Sequence, residues 1–108
     1  MLQCYITGRL TADAEIKTIN EKDYYKLRAV HNEGKDKPGT FVNVLYRKYG
    51  TTDLTRYFRK GAIISASGRL TVSGYAGQDG KARADITVWT DNVQIEQFAP
   101  EEEGGLLD

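Results

Sequence analysis

Apolar and polar side chains alternate with a period of two through most of this chain, and no other feature limits its fold as strongly. Successive side chains of a strand leave opposite faces, so a chain written this way builds sheets. In residues 2–7, Leu2, Cys4 and Ile6 share one face, and Gln3, Tyr5 and Thr7 the other. Residues 15–19 make a short edge extension. In residues 24–30, Tyr25, Leu27 and Ala29 face a core while Tyr24, Lys26 and Arg28 face out. In residues 40–48, Val42, Val44 and Tyr46 take one face, and Phe41, Asn43, Leu45 and Arg47 the other. Ile64, Ala66, Leu70 and Val72 mark a fourth strand that contains Gly68. The last strand runs over residues 83–90 and continues past Asp91 and Asn92 through Val93 and Ile95. Asp79-Gly80 is a hairpin signal between the two.

One segment breaks the pattern. Leu54, Tyr57 and Phe58 form an i, i+3, i+4 stripe, Thr51 or Thr52 can cap it, and Asp53 suits a first turn. Arg59 and Lys60 complement a C-terminal dipole and Gly61 ends the helix. The order is three strands, one short helix, two strands. That is the layout of an all-β, five-stranded Greek-key barrel, the OB-fold, with its helix between strands three and four. Tyr46, Tyr57 and Phe58 are assigned to its core.

At 108 residues with 40% apolar content there is room for one domain and one small core. We place the barrel over residues 1–98 and a short, acidic, flexible tail over 99–108. The chain is formally neutral, 15 bases against 15 acids. Four of the acids (Glu101, Glu102, Glu103, Asp108) lie in the tail, leaving 15 bases against 11 acids over residues 1–98, a net of +4. A basic body with an acidic end points weakly to a polyanionic partner. Nothing approaches an 18-residue apolar run, and MLQCYITGRL has no signal-peptide pattern, so a cytoplasmic location without a membrane is expected. Cys4 and His31 are each the single residue of their type. They cannot assemble a zinc site and read as ordinary packed residues, so neither metal nor cofactor is expected.

Catalysis has little support. Asp13, Glu15, Asp53, Asp79, Asp85 and Asp91 are scattered beside turns, and no nucleophile–histidine set or phosphate loop occurs. A binding face is better supported: Tyr24, Lys26 and Arg28 on the second strand, Phe41, Asn43 and Arg47 on the third, Arg69 and Tyr75 on and beyond the fourth. Exposed rings interleaved with cations suit a single-stranded nucleic acid, whose bases stack while its phosphates meet Lys and Arg. The plainer reading makes the cations a solvated strand face and buries Phe41 between subunits. Tyr49 either stacks or covers the start of the helix. Trp89 points out of the core by parity and is read as a contact with another subunit or the tail.

ITGRLTADAEIK (6–17), LTRYFRKGAIISASGRL (54–70) and GQDGKARADITVWTDNVQI (77–95) together resemble the bacterial and phage single-stranded DNA-binding protein family over nearly residues 1–98. The resemblance implies that Phe41 and Tyr75 fall where that family has base-stacking tryptophans, and Arg47 where it commonly stacks a phenylalanine. A further family tryptophan has no aromatic counterpart, because Glu33 and Gly34 occupy that region. It also implies homotetramers, with a dimer as fallback, and an acidic tip that docks replication and repair proteins. Here the tip is APEEEGGLLD. Glu101, Glu102, Glu103, Leu106 and Leu107 form either a shortened docking or DNA-mimicking tip or a merely solubilising end. The resulting expectation is a non-enzymatic protein that coats single-stranded DNA in replication, recombination or repair, bound to the nucleoid. An OB-fold restart or adaptor protein acting through protein contacts stays open, as does a small nuclease.

Overall fold

Six strands form from the alternating segments in a computed structural model that describes residues 1–32, 34 and 36–100. They are β1 (Gln3–Leu10), β2 (Glu15–Ile19), β3 (Lys22–His31), β4 (Thr40–Arg47), β5 (Ile63–Ala76) and β6 (Ala82–Gln97). The sheet order is β1-β5-β6-β4-β3-β2, and β1 also pairs with β3 through Arg9↔Val30 and Leu10↔Ala29. That last pairing closes β1, β3, β4, β6 and β5 into a ring. All neighbours are antiparallel except β4 and β6, which run parallel. The closed, mixed ring is the five-stranded barrel that the sequence implies, and β2 is its short extension. β2 and β3 join at a tight turn in which Asn20 and Glu21 take φ of 49° and 66°.

The inward residues of every barrel strand meet in one core. Leu10, Tyr25, Leu27, Val44, Ile64 and Val88 are fully buried, with Ala29, Val42, Phe58, Ala62 and Ala66 around them. Each large apolar side chain so buried contributes about 1.5–3 kcal/mol. The Tyr25 ring packs 5.6 Å from Tyr46 and 6.1 Å from Phe58. Its hydroxyl donates to the Thr52 carbonyl at 2.8 Å and accepts from the Leu54 N–H at 3.1 Å, so the polar end is satisfied inside the core.

Those two bonds correct the expected helix. What forms between β4 and β5 is a single 3-10 turn, Thr55–Tyr57, with no side-chain cap from Thr51 or Thr52. Tyr25 has taken the Leu54 amide, and Asp53 Oδ1 takes the amide and hydroxyl of Thr55 at 2.8 and 2.7 Å. Downstream, the Phe58 carbonyl accepts from the Ala14 amide and Asp13 Oδ1 accepts from the Lys60 amide, each at 2.8 Å. The Lys60 amide, which a continued α-helix would pair with the Arg56 carbonyl, is instead held by Asp13. The Leu54 and Thr55 amides and the Phe58 carbonyl are terminal groups that a helix leaves unpaired, and here Tyr25, Asp53 and Ala14 satisfy them. Gly61 still ends the segment, with φ 98°. Phe58 enters the core as expected, but Tyr57 does not. It is exposed, its ring 4.7 Å beneath the Arg56 guanidinium.

Two bulges shape the long β5–β6 ladder, at Ile63/Ile64 and at Ser67/Arg69. The second reverses the parity of β6, so that Val88 and Thr90 face inward before it and Val93 and Ile95 after it. The Thr90 hydroxyl stitches the bulge, donating to the Ser67 carbonyl at 2.5 Å and accepting the Asn92 amide at 2.9 Å. Beyond the barrel the two strands continue as an arm through Tyr75↔Arg83 and Ala76↔Ala82, closed by the turn at Asp79 and Gly80. Val72, expected in the core, lies on this arm and is exposed. Leu2 and His31 are also exposed, Leu2 before β1 begins and His31 at the end of β3 with Nδ1 3.0 Å from the Thr7 carbonyl.

Candidate nucleic-acid interface

Cross-strand partners share a face, so the register sorts the candidate residues directly. Tyr24 pairs with Arg47, Lys26 with Leu45, and Arg28 with Asn43 between β3 and β4. Leu45 then pairs with Trp89 of β6, and Trp89 with Arg69 of β5. Lys26, Leu45, Trp89 and Arg69 therefore form one row across the outer face, with Tyr24–Arg47 and Arg28–Asn43 as the rows on either side. Residues separated by more than sixty positions in sequence are neighbours here.

The cations are held against rings. Arg28 places its guanidinium 5.2 Å from the Phe41 centroid while Nη1 donates to Asn43 Oδ1 at 2.8 Å. Arg47 lies between two tyrosines, 5.6 Å from Tyr24 and 4.8 Å from Tyr49, and its Nη1 donates to the Asp23 and Lys48 carbonyls at 2.9 Å each. Tyr49 is therefore held on this face, between Arg47 and Asp91. Its hydroxyl donates to Asp91 Oδ1 at 3.1 Å, and that bond holds the Tyr49 pKa above its ordinary value.

Trp89 faces outward, as parity places it, and has partners within its own chain. It packs edge-on to Tyr24 at 5.6 Å, carries the Arg69 guanidinium 5.4 Å from its ring, and donates Nε1–H to Thr71 Oγ1 at 3.0 Å. Its neighbours belong to its own sheet face, the same face as the candidate residues. The only local signal was the change of apolar parity at Asp91 and Asn92; that β6 lies between β4 and β5 is seen in the tertiary structure alone. Leu45 was missed in the opposite sense: it points outward yet is buried, between Lys26 and Trp89.

Phe41 and Tyr75 are half-exposed, at 50% and 48%. Phe41 opens β4, whereas Tyr75 sits out on the arm opposite Arg83, which is itself paired with Asp79 at 2.8 Å. Tyr75 is thus not part of the Arg69–Trp89–Tyr24–Arg47–Tyr49 ladder. Together the face offers accessible π-surfaces beside positive charge, which is what stacked bases and their phosphates need. Glu33, Glu101, Glu102, Glu103, Leu106 and Leu107 lie outside the described residues.

Four of the six acids singled out from sequence have structural partners. Asp13 accepts the Lys60 amide, Asp53 the Thr55 amide, Asp79 pairs with Arg83, and Asp91 takes the Tyr49 hydroxyl. Among the described residues no three His, Cys, Asp or Glu side chains are grouped to hold a metal ion, and no helix is long and apolar enough to cross a membrane.

Residues 1–96 match the model of the single-strand binding protein family. The chain belongs to that family. Similar members include the single-stranded DNA-binding protein of Streptococcus pyogenes serotype M1, 24% identical over 106 residues, covering 93% of this chain and 65% of that protein. The Staphylococcus aureus (strain MRSA252) protein is 25% identical over 96 residues, covering 83% and 62%. The chain thus spans a little under two thirds of the length of these relatives. Among solved structures, the yeast mitochondrial single-stranded DNA-binding protein Rim1 superposes with a TM-score of 0.64 at 16% identity, covering 90% of this chain and 96% of that one. At that identity the likeness concerns the fold, and it agrees with an OB barrel.

Proposed function

We propose that this chain binds single-stranded DNA without sequence preference and without catalysing a reaction, as a coating protein in replication, recombination or repair. The observation that carries the reading is the single sheet face on which Phe41, Tyr24, Tyr49 and Trp89 are interleaved with Arg28, Arg47 and Arg69. Bases would stack on Phe41 and Tyr75, and Lys26, Arg28, Arg47 and Arg69 would neutralise phosphates, with Asn43 holding Arg28 in place. A duplex keeps its bases stacked internally and would gain little from such a face. The test is the anisotropy of labelled oligo-dT titrated with protein, against a duplex of equal length. Tight binding of the single strand alone supports the reading, and equal or absent binding of both overturns it.

A homo-oligomer, tetramer first and dimer second, belongs to the same proposal. Among the described residues, β1 pairs with β5 along Gln3–Arg9 but meets β3 only at Arg9 and Leu10, so one edge of its first half is free. Tyr5 is 69% exposed on that strand. A free edge of this kind accepts a further strand, such as that of a second copy. The cytoplasm, on the nucleoid, is the location that accompanies this function, and the acidic tail is a candidate docking tip for replication or repair proteins.

A further inference from the structure

We propose that a cleft beside Trp89 is a single-nucleotide subsite, distinct from the Phe41 and Tyr75 positions and opened by movement of Arg69. The inference rests on the single-strand reading above. Tyr24, Arg47, Tyr49, Arg69, Trp89 and Asp91 line a shallow cleft of about 270 Å³ on the sheet face. That is just below the roughly 300–1,000 Å³ of pockets that enclose drug-sized molecules, the scale of one nucleotide. Two guanidiniums border it, and a guanidinium fork matches a phosphate's paired oxygens.

The two arginines are held differently. Arg47 is fixed by two carbonyl oxygens and two tyrosine rings. Arg69 is exposed, and among the described residues its guanidinium makes no hydrogen bond or ion pair, so its contact is with the face of Trp89. An exposed cation–π contact is worth only about 0.5–1 kcal/mol. Trp89 stays in place whether or not Arg69 covers it, because Thr71 accepts its Nε1–H and Tyr24 abuts its edge. Arg69 therefore acts as a removable cover. When a strand arrives, its guanidinium turns to a phosphate and a base takes its place on the indole. Asp91 is the one acid lining the cleft, and its carboxylate is engaged by the Tyr49 hydroxyl, which holds that ring at the opposite rim.

Trp89 is the chain's single tryptophan, so selective tryptophan excitation reports this cleft alone. The experiment follows tryptophan emission and labelled-DNA anisotropy in one titration with oligo-dT, using the full chain and the variants Arg69→Gln, Trp89→Phe and Trp89→Leu. Emission should be quenched in step with anisotropy. Trp89→Leu should weaken binding about tenfold and Trp89→Phe by less than about threefold, since a smaller ring still stacks. Arg69→Gln should weaken binding about threefold and reduce its salt dependence by one phosphate contact. If anisotropy rises while emission is unchanged and Arg69→Gln binds as the parent does, the subsite is refuted and the single-strand reading stands. If anisotropy never rises, both fall. Should Trp89→Leu fail to fold, parental quenching together with Arg69→Gln still decides.

Discussion

Gly68 and Trp89 meet where the β5–β6 ladder bulges, and the meeting leaves no room for a side chain. A Cβ on Gly68 would collide with the Trp89 carbonyl oxygen and would stand 2.9 Å from the Thr90 Cβ. The glycine lets β6 press against β5 at the bulge that turns Trp89 outward and Val93 inward. Gly68→Ala should therefore destabilise the barrel by about 2 kcal/mol, read as a shift in urea midpoint with little change in slope. A variant as stable as the parent would mean that the bulge yields easily.

Removing either half-exposed ring should weaken oligo-dT binding more than it weakens the fold. Phe41→Ala and Tyr75→Ala should each lose about 1–3 kcal/mol of binding, roughly five- to 150-fold in affinity. Thermal melts run alongside should change little, since neither ring belongs to the buried core. Loss of stability without loss of affinity would assign the rings to packing.

Salt should report the cations. Each phosphate neutralised on a single strand contributes about −0.7 to the slope of log affinity against log salt, so Lys26, Arg28, Arg47 and Arg69 together predict about −3. Lys26→Ala should reduce the slope by about 0.7 while leaving base preference unchanged. A parental slope near zero would remove these four residues from the phosphate path.

The β2–β3 turn contains a correctable strain. Glu21 holds φ 66°, a conformation that costs a non-glycine residue about 1–2 kcal/mol. Glu21→Gly should raise stability by about 0.5–1 kcal/mol after the glycine's greater unfolded-state entropy is subtracted. The urea midpoint would show it, and a decrease would mean that the Glu21 side chain holds the turn.

Asp53 should make the 3-10 turn sensitive to acid. Hydrogen bonds from the Thr55 hydroxyl and amide lower its pKa below the ordinary carboxylate value. The contribution is thus fully present above the unfolded-state pKa and is lost as pH falls through the lower folded value. Asp53→Asn should lower the melting temperature at neutral pH and converge with the parent in strong acid. Parallel curves at every pH would show that the charge of Asp53 is not involved.

Much of the architecture was legible because side-chain parity is local. Tyr25, Leu27 and Ala29 announce their inward face without reference to any other strand, and so do Val42 and Val44. Tyr24, Lys26, Arg28, Phe41 and Arg47 were placed outward by the same rule. The turn at Asp79-Gly80 was equally readable. The helix was not, because its fate depends on Tyr25 and Asp13, which reach it from across the barrel and take the backbone amides of Leu54 and Lys60. Tyr57 was misassigned for the same reason.

The sequence by itself determined where the strands lie along the chain, the faces of β3 and β4 and the kind of surface that faces solvent, since each of these follows from the spacing of neighbouring residues. Only the tertiary structure decided that Trp89 joins Tyr24, Arg47 and Arg69. That association requires β6 to lie parallel to β4 and antiparallel to β5 in one particular register. A register is chosen by the packing of the whole core and by the bulge at Gly68, and no window of adjacent residues contains that information.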